Sequence, residues 1–317
     1  MPRTIRPTAF GDPDVLVVAD TPMPVPQHGE MVVRVRAAGV NPIDRKVYSG
    51  SFHGNDATLP ALGLECAGVV DAVGAGVTTA AIGDEVIVYP VTAAYADVVC
   101  VPATSLIPKP VGLSWAEAGG LLLAGTTAAH ALSAIAVAAD DTVLVHGGAG
   151  AVGLMAVQLA RAAGAQVIAT ASPRNHALLQ ELGATPVAYG PGLLDRVRQA
   201  APTGVDAAVD AAGTDEALDV SLAVVDDPGR IASIVGSDRR NGTGIALLGY
   251  GPGQDPGFAV REGARGRLAE MAGEGSLRVL VSATLPLTEA ARAHEMLMSA
   301  HSPGKIVLLP EPDLVAR

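Results

Sequence analysis

The run Val143-Leu144-Val145-His146-Gly147-Gly148-Ala149-Gly150-Ala151-Val152-Gly153 sets an apolar strand, a glycine turn and a helix start in immediate succession. Leu154–Arg161 then continues with a helical pattern. Gly148, Gly150 and Gly153 have the spacing that binds a dinucleotide: the first allows a tight turn, the second lets backbone N–H groups approach a pyrophosphate, and the third lets helix and strand pack closely. Gly147, Gly150 and Gly153 offer an overlapping register. The chain holds 37 glycines, so a bare turn is the plain alternative, and the same loop can serve a flavin or S-adenosylmethionine. The strand–turn–helix context favours a nicotinamide dinucleotide, held by Gly148, Ala149, Gly150, Ala151, Val152 and Gly153.

The texture on either side of residue 125 differs. Before it, Met31–Arg36 and Gly83–Val88 alternate valine with polar residues between Gly and Pro breaks, which predicts short antiparallel strands. After it, alanine-rich helical stretches alternate with compact apolar segments, which predicts a parallel, helix-covered sheet. The expected strands are Thr142–His146, Gln166–Ala171, Thr185–Tyr189, Val205–Ala211 and Arg230–Val235. Ser172-Pro173 reads as a helix start, and Gly164 and Gly183 sit where helix-ending glycines belong. Toward the end, helical Arg265–Ala272 and Glu289–Ser299 flank an apolar segment Leu277–Leu287, and Lys305–Leu309 forms a last strand. This tail is expected to return to the first domain.

Among 317 residues the formal net charge is −11, which leaves no broad cationic surface for nucleic acid or an anionic membrane. No apolar run is long enough to cross a bilayer, and Met1–Arg6 has no apolar signal segment behind it, so a cytoplasmic protein is expected. Two cysteines, Cys66 and Cys100, are too few for a disulfide framework.

An acid at the end of the second parallel strand would bind the ribose hydroxyls of NAD. The sequence there is Ala169-Thr170-Ala171-Ser172-Pro173-Arg174, a hydroxyl and a guanidinium able to take a 2′-phosphate. The expected cofactor is therefore NADPH. The alternative leaves Ser172 as a helix cap and Arg174 as a solvated side chain.

Ala38–Asp44, Leu62–Val70, Gly83–Val86, Ala94–Asp97, Gly125–Leu132, the glycine loop and Gly304–Leu308 resemble, in this order, the medium-chain dehydrogenase/reductase superfamily. Within it the chain looks like the zinc-free quinone oxidoreductase, or zeta-crystallin-like, branch. The resemblance implies an α/β protein: a GroES-like β-rich catalytic domain over residues 1–124 and 263–317, and a Rossmann doubly wound parallel-sheet domain over 125–262. Zinc enzymes of the superfamily have Cys where this chain has Asn41 and His where it has Leu64, and neither replacement is a zinc ligand. No metal is expected, and Glu65 is read as structural.

Without a metal to polarise an isolated ketone, the chemistry that remains is hydride transfer to an acceptor whose own conjugation spreads the charge, a quinone or an α,β-unsaturated carbonyl. Asn41 is the first catalytic and cofactor-binding candidate, its amide able to contact the carbonyl oxygen or the nicotinamide ribose, with Tyr48 and Lys46 as candidate proton donors and solvent as the alternative to both. The resemblance places Thr127 near the nicotinamide and Tyr189 near the adenosine phosphate, while Ala212, Ile234, Val235 and Gly236 follow expected parallel strands at the carboxyl edge, where the cofactor should lie. Asn41 also stands as an Asn-Pro turn, and Tyr189 as a strand-end aromatic. A tailoring enoyl or enone reductase of a natural-product pathway, and a non-catalytic NADPH-binding protein, remain open. The resemblance further implies a homodimer joined through Gly244–Gly249. The Gly/Pro-rich stretch Gly249–Phe258 fits the family least and is expected to be a surface loop, with the alternative that it covers the substrate cleft and that Tyr250 and Phe258 stack on a planar ring.

Overall fold

The computed structural model describes residues 1–51, 58–236, 238–299 and 303–310. It has two compact units, Met1–Leu123 with Ala269–Arg317 and Ala124–Leu268. The first begins with β1 (Arg3–Pro7), β2 (Leu16–Asp20), β3 (Glu30–Val40), α1 (Pro42–Tyr48), β4 (Cys66–Val73), β5 (Glu85–Val88), β6 (Val98–Pro102), β7 (Leu106–Pro108) and α2 (Trp115–Gly119).

The chain then enters the second unit through α3 (Leu122–Ala134), β8 (Thr142–His146), α4 (Ala151–Ala162), β9 (Gln166–Thr170), α5 (His176–Glu181) and β10 (Thr185–Val187). It continues with α6 (Leu193–Ala200), β11 (Ala207–Asp210), α7 (Asp215–Val224), β12 (Ile231–Ser233), β13 (Ala246–Leu247) and α8 (Phe258–Gly273). The first unit is completed by β14 (Val281–Pro286), α9 (Ala290–Met298) and β15 (Lys305–Leu309).

β3 organises the first unit. Along one edge it pairs antiparallel with β4. Along the other, residues 30–34 pair with β6 and residues 38–40 pair with β15. Its alternating residues Met31, Val33 and Val35 enter a core with Val70, Val86 and Val99. The sheet runs β14-β15-β3-β4-β5-β7.

The second unit is a six-stranded parallel sheet in the order β10-β9-β8-β11-β12-β13. The order reverses between β8 and β11, the switch point where doubly wound sheets bind ligands at their carboxyl edge. β8 and β11 are buried throughout because helices cover both faces. Gly164 and Gly183 end α4 and α5 with φ of 92° and 83°, which a side chain would resist. The strands follow the expected positions but are shorter at their ends, except β8 and β15, which have the expected bounds. α8 starts at Phe258 and not at Arg265: the Asp255 carboxylate accepts from Gly257 N at 2.9 Å just before the helix, a start signal hidden by the Gly/Pro-rich stretch.

The first unit buries a polar chain beside α1. Tyr95 Oη donates to Asp44 Oδ2 at 2.8 Å and lies 3.3 Å from His294 Nε2, while the Tyr48 ring meets His294 edge-on with centroids 5.0 Å apart. Burial raises the Asp44 carboxyl to about 7 and lowers His294 to about 4, the nearby Arg45 charge adding to the second shift. The two groups drive stability in opposite directions. His294, depressed in the folded state, contributes fully above its ordinary 6.5 and loses that contribution as pH falls toward 4. Asp44, raised in the folded state, contributes fully below 3.8 and loses it as pH climbs to 7. Asp44→Asn should therefore steepen the loss of stability on acidification from pH ~6.5 to ~4, and His294→Leu should steepen the loss on alkalinisation over the same range, each on the order of 3 kcal/mol. Urea titrations at several pH values would check this; parallel curves for the two variants would refute it.

Candidate active site

In the second unit the glycine loop forms the turn from β8 into α4. Gly147 has φ 72°, and its N–H is met by Thr170 Oγ1 at 3.2 Å, while Gly148 N donates to Thr170 O at 2.9 Å. A Cβ on Gly148 would come within 2.8 Å of the Ala169 methyl, and one on Gly153 within 2.2 Å of Gly147 O. Gly150 is the N-cap of α4 in extended geometry. Ala149, Gly150, Ala151 and Val152 reach the surface while Gly148 and Gly153 are buried, so the loop presents backbone at the helix N-terminus and hides the close contacts behind it.

The other expected cofactor residues on this unit follow neighbouring strands. Ser172 and Arg174 lie just after β9, in a single 3-10 turn, with Asn175 Nδ2 donating to Ser172 Oγ at 3.3 Å. Ala212 follows β11 and its N–H donates to Asp210 Oδ1 at 3.0 Å. Ile234, Val235 and Gly236 follow β12; Ile234 N donates to Asp210 O and Val235 N to Ser233 Oγ. Tyr189 is exposed after β10 in a loop that Arg196 straps, donating to the carbonyls of Ala188, Gly190 and Pro191 at 2.8–2.9 Å. Thr127 is buried on α3, where its Oγ1 accepts from Arg261 Nη1 at 2.9 Å. Thr170 and Arg196 were missed by sequence reasoning. Thr170 was legible as a hydroxyl at a strand end, whereas Arg196 gave no local signal.

In the first unit Asn41 joins β3 to α1 and sits in a closed cluster. Lys305 Nζ donates to Val40 O at 3.1 Å, Asn41 Oδ1 at 2.5 Å and Glu65 Oε1 at 2.8 Å. Asn41 Nδ2 donates to Gly39 O and to Glu65 Oε1, both at 3.1 Å, and Glu65 Oε2 accepts from Leu123 N at 2.8 Å. All three side chains are at most 2% exposed. The Asn41 amide therefore has its oxygen and both protons committed within the protein. Tyr48 is wholly buried and Lys46 is exposed on α1, so these two candidates do not share a surface with each other. Burial pushes the Tyr48 phenol up to about 12.

This donor set does not suit zinc. Around Asn41 stand an ammonium, one carboxylate already accepting from it, and an amide, with no thiolate or imidazole. Among the described residues no group of three or more His, Cys, Asp or Glu side chains is placed to hold a metal ion.

Known proteins carry the same two-part plan. The family described as "Alcohol dehydrogenase GroES-like domain" matches residues 27–132, and that described as "Zinc-binding dehydrogenase" matches residues 182–308. Rat (Rattus norvegicus) quinone oxidoreductase is 30% identical over 97% of this chain and 97% of its own. The chain belongs to the quinone oxidoreductase branch of the medium-chain dehydrogenase/reductase superfamily. Escherichia coli quinone oxidoreductase complexed with NADPH is 27% identical with a TM-score of 0.83, covering 97% of this chain and 100% of that one. The CurK enoyl reductase is 26% identical with a TM-score of 0.86, covering 98% and 99%.

Lys305 is the member of the first-unit cluster that sequence reasoning took for part of a terminal motif. Losing one partner of a buried pair strands the other charge, so Lys305→Met should cost about 3–5 kcal/mol in chemical denaturation. The double variant Lys305→Met/Glu65→Gln should cost clearly less than the sum of the two single changes. Additive losses would mean that the pair is not coupled.

Proposed function

We propose that this oxidoreductase uses NADPH, works without zinc, and delivers hydride to a small quinone or α,β-unsaturated carbonyl. The observation that carries the reading is the glycine cradle at the carboxyl edge of the parallel sheet, followed after β9 by Ser172 and Arg174 in place of an acid. The bare backbone at Gly148 and Gly153 fits a pyrophosphate brought onto the start of α4, since a side chain at either place would collide with the protein itself. The cofactor of the Escherichia coli relative supports the same choice.

In this reading Gly148–Gly153 hold the pyrophosphate, Ser172 and Arg174 take the 2′-phosphate, and Tyr189 flanks the adenosine end. The backbones of Ala212 and Ile234–Gly236 line the nicotinamide half, with Thr127 beside it. When bound, NADPH supplies the hydride. The protein contributes proximity and orientation, which are worth several orders of magnitude when the reacting atoms are aligned. Asn41, locked by Lys305 and Glu65, is a rigid wall of the catalytic unit and not a mobile donor. Water is the source of the final proton, because Tyr48 is buried with its hydroxyl unpartnered among the described residues. Lys46, at the surface, is the side-chain alternative.

The likeness to CurK favours a second acceptor class, an enoyl or enone compound of a biosynthetic pathway. A homodimer joined through β13, the outer strand of the parallel sheet, and a cytoplasmic setting complete the proposal. No helix among the described residues is long and apolar enough to cross a membrane.

NADPH and NADH oxidation should be measured with 1,4-benzoquinone, 9,10-phenanthrenequinone and a 2-alkenal, with and without a chelator. Turnover should prefer NADPH and ignore the chelator. Arg174→Ala should raise KM for NADPH about tenfold, the loss of one charge-assisted contact, and leave kcat and the NADH reaction unchanged. NADPH binding without oxidation by any acceptor would instead support a non-catalytic binding protein.

A further inference from the structure

The second unit carries a buried cation that forms no ion pair with an acid among the described residues. Arg261 lies in the first turn of α8 and is 8% exposed. Its Nη1 donates to Thr127 Oγ1, but its Nε is buried with no acceptor among the described residues. The charge of Asp255 reaches it, yet the Asp255 oxygens are occupied by His130 Nε2 and Gly257 N, both at 2.9 Å, and no ion pair joins Asp255 to Arg261. A cation at a helix N-terminus also faces the positive end of the helix dipole. Burial, an acid whose oxygens are already taken and an opposing dipole each raise the cost of the Arg261 charge, and an anionic ligand would offset that cost.

Beside this guanidinium stands an aromatic pair. The Tyr250 ring lies 5.8 Å from the Arg261 guanidinium carbon, and the Tyr250 and Phe258 ring centroids are 5.9 Å apart. The chain has only three phenylalanines, five tyrosines and one tryptophan, and these two rings are among the exposed ones, at 51% and 67%. The loop that carries Tyr250 is built and not slack. Leu248 N donates to Ser233 O, Gly249 N to Asp255 O, and Gly251 N to Gln254 Oε1, and His130 anchors Asp255 from α3.

We propose that Arg261, Thr127 and the Tyr250–Phe258 pair form an acceptor subsite for a planar carbonyl compound that bears a carboxylate. The rings stack on the planar part and Arg261 takes the carboxylate. This deepens the hydride-transfer reading above and rests on it for the role of the bound compound, but not for the binding itself.

Binding is tested first, with NADP+ present so that nothing is reduced, by calorimetric titration of trans-cinnamate and its neutral analogue cinnamamide. The parent protein should bind cinnamate at least tenfold more tightly than cinnamamide. Arg261→Leu should erase that preference, Arg261→Lys should keep part of it, and Tyr250→Ala should weaken both probes several-fold while keeping their ratio. Turnover follows, comparing 4-(3-oxobut-1-enyl)benzoate with its methyl ester; Arg261→Leu should lower the kcat/KM ratio of acid to ester at least tenfold. Equal binding of cinnamate and cinnamamide by the parent overturns the subsite without needing any variant. Weaker NADPH binding in Arg261→Leu with the cinnamate preference intact also overturns it, assigning Arg261 to the cofactor. If neither enone is reduced while cinnamate is still preferred through Arg261, the hydride-transfer reading fails and the subsite stands.

Discussion

The first unit depends on one ammonium group. Lys305 enters from β15, Glu65 from the residue before β4 and Asn41 from the junction of β3 with α1, and three protons meet three oxygens. A buried charge is tolerated when every donor and acceptor around it is satisfied, and this cluster meets that condition through Leu123 N and Gly39 O. It also explains glycines that would otherwise look idle. A Cβ on Gly39 would come within 2.5 Å of Glu65 Oε1, and one on Gly119 within 2.7 Å of Ala37 O, so side chains there would push α2 and Glu65 away from β3. The cluster thus fixes where β3 ends, and with it the start of α1 and the position of Asn41.

The second unit uses a carboxylate in a comparable way. Asp210, at the end of β11, accepts from Ala212 N, Gly213 N, Ser233 Oγ and Arg240 Nη2 at 2.7–3.1 Å, and Arg240 reaches on to Thr214 O. One buried ion pair therefore gathers the turns after β11 and β12, where the backbone lines the carboxyl edge of the sheet. His146, at the end of β8, is lowered to about 4 mainly by burial and so stays neutral beside this acid. In each unit, taken by itself, a buried ion pair holds the polar groups around it in place.

Sequence was most informative where the determinants are adjacent in the chain. The cradle from β8 to α4 and the helix-ending Gly164 and Gly183 were legible because a turn, a cap or a close approach needs only a few neighbouring residues. Lys305 was legible as a residue but not as a hub, since its partners lie far back along the chain and a single lysine opening an apolar strand looks like an end effect. Tyr48 looked like a donor because sequence does not reveal which face of a short helix is buried. Arg261 stayed hidden for another reason: the long α8 mixes arginine, glutamate and glycine with no clear apolar stripe, so nothing in its pattern marks one arginine as enclosed.

The position where zinc relatives hold a metal bears on the chemistry the proposed function requires. A metal offers open coordination and can polarise an incoming oxygen. The Lys305 ammonium offers none, because each of its protons already has a partner and the Asn41 amide has none to spare. Charge enclosed this way orders the wall of a site without activating what binds against it. An acceptor at such a site has to carry its own means of spreading negative charge, as a quinone or an enone does, and the protein needs only to hold it flat and aligned. Under the proposed function, the enclosed cation of the first unit therefore fits acceptors that are conjugated.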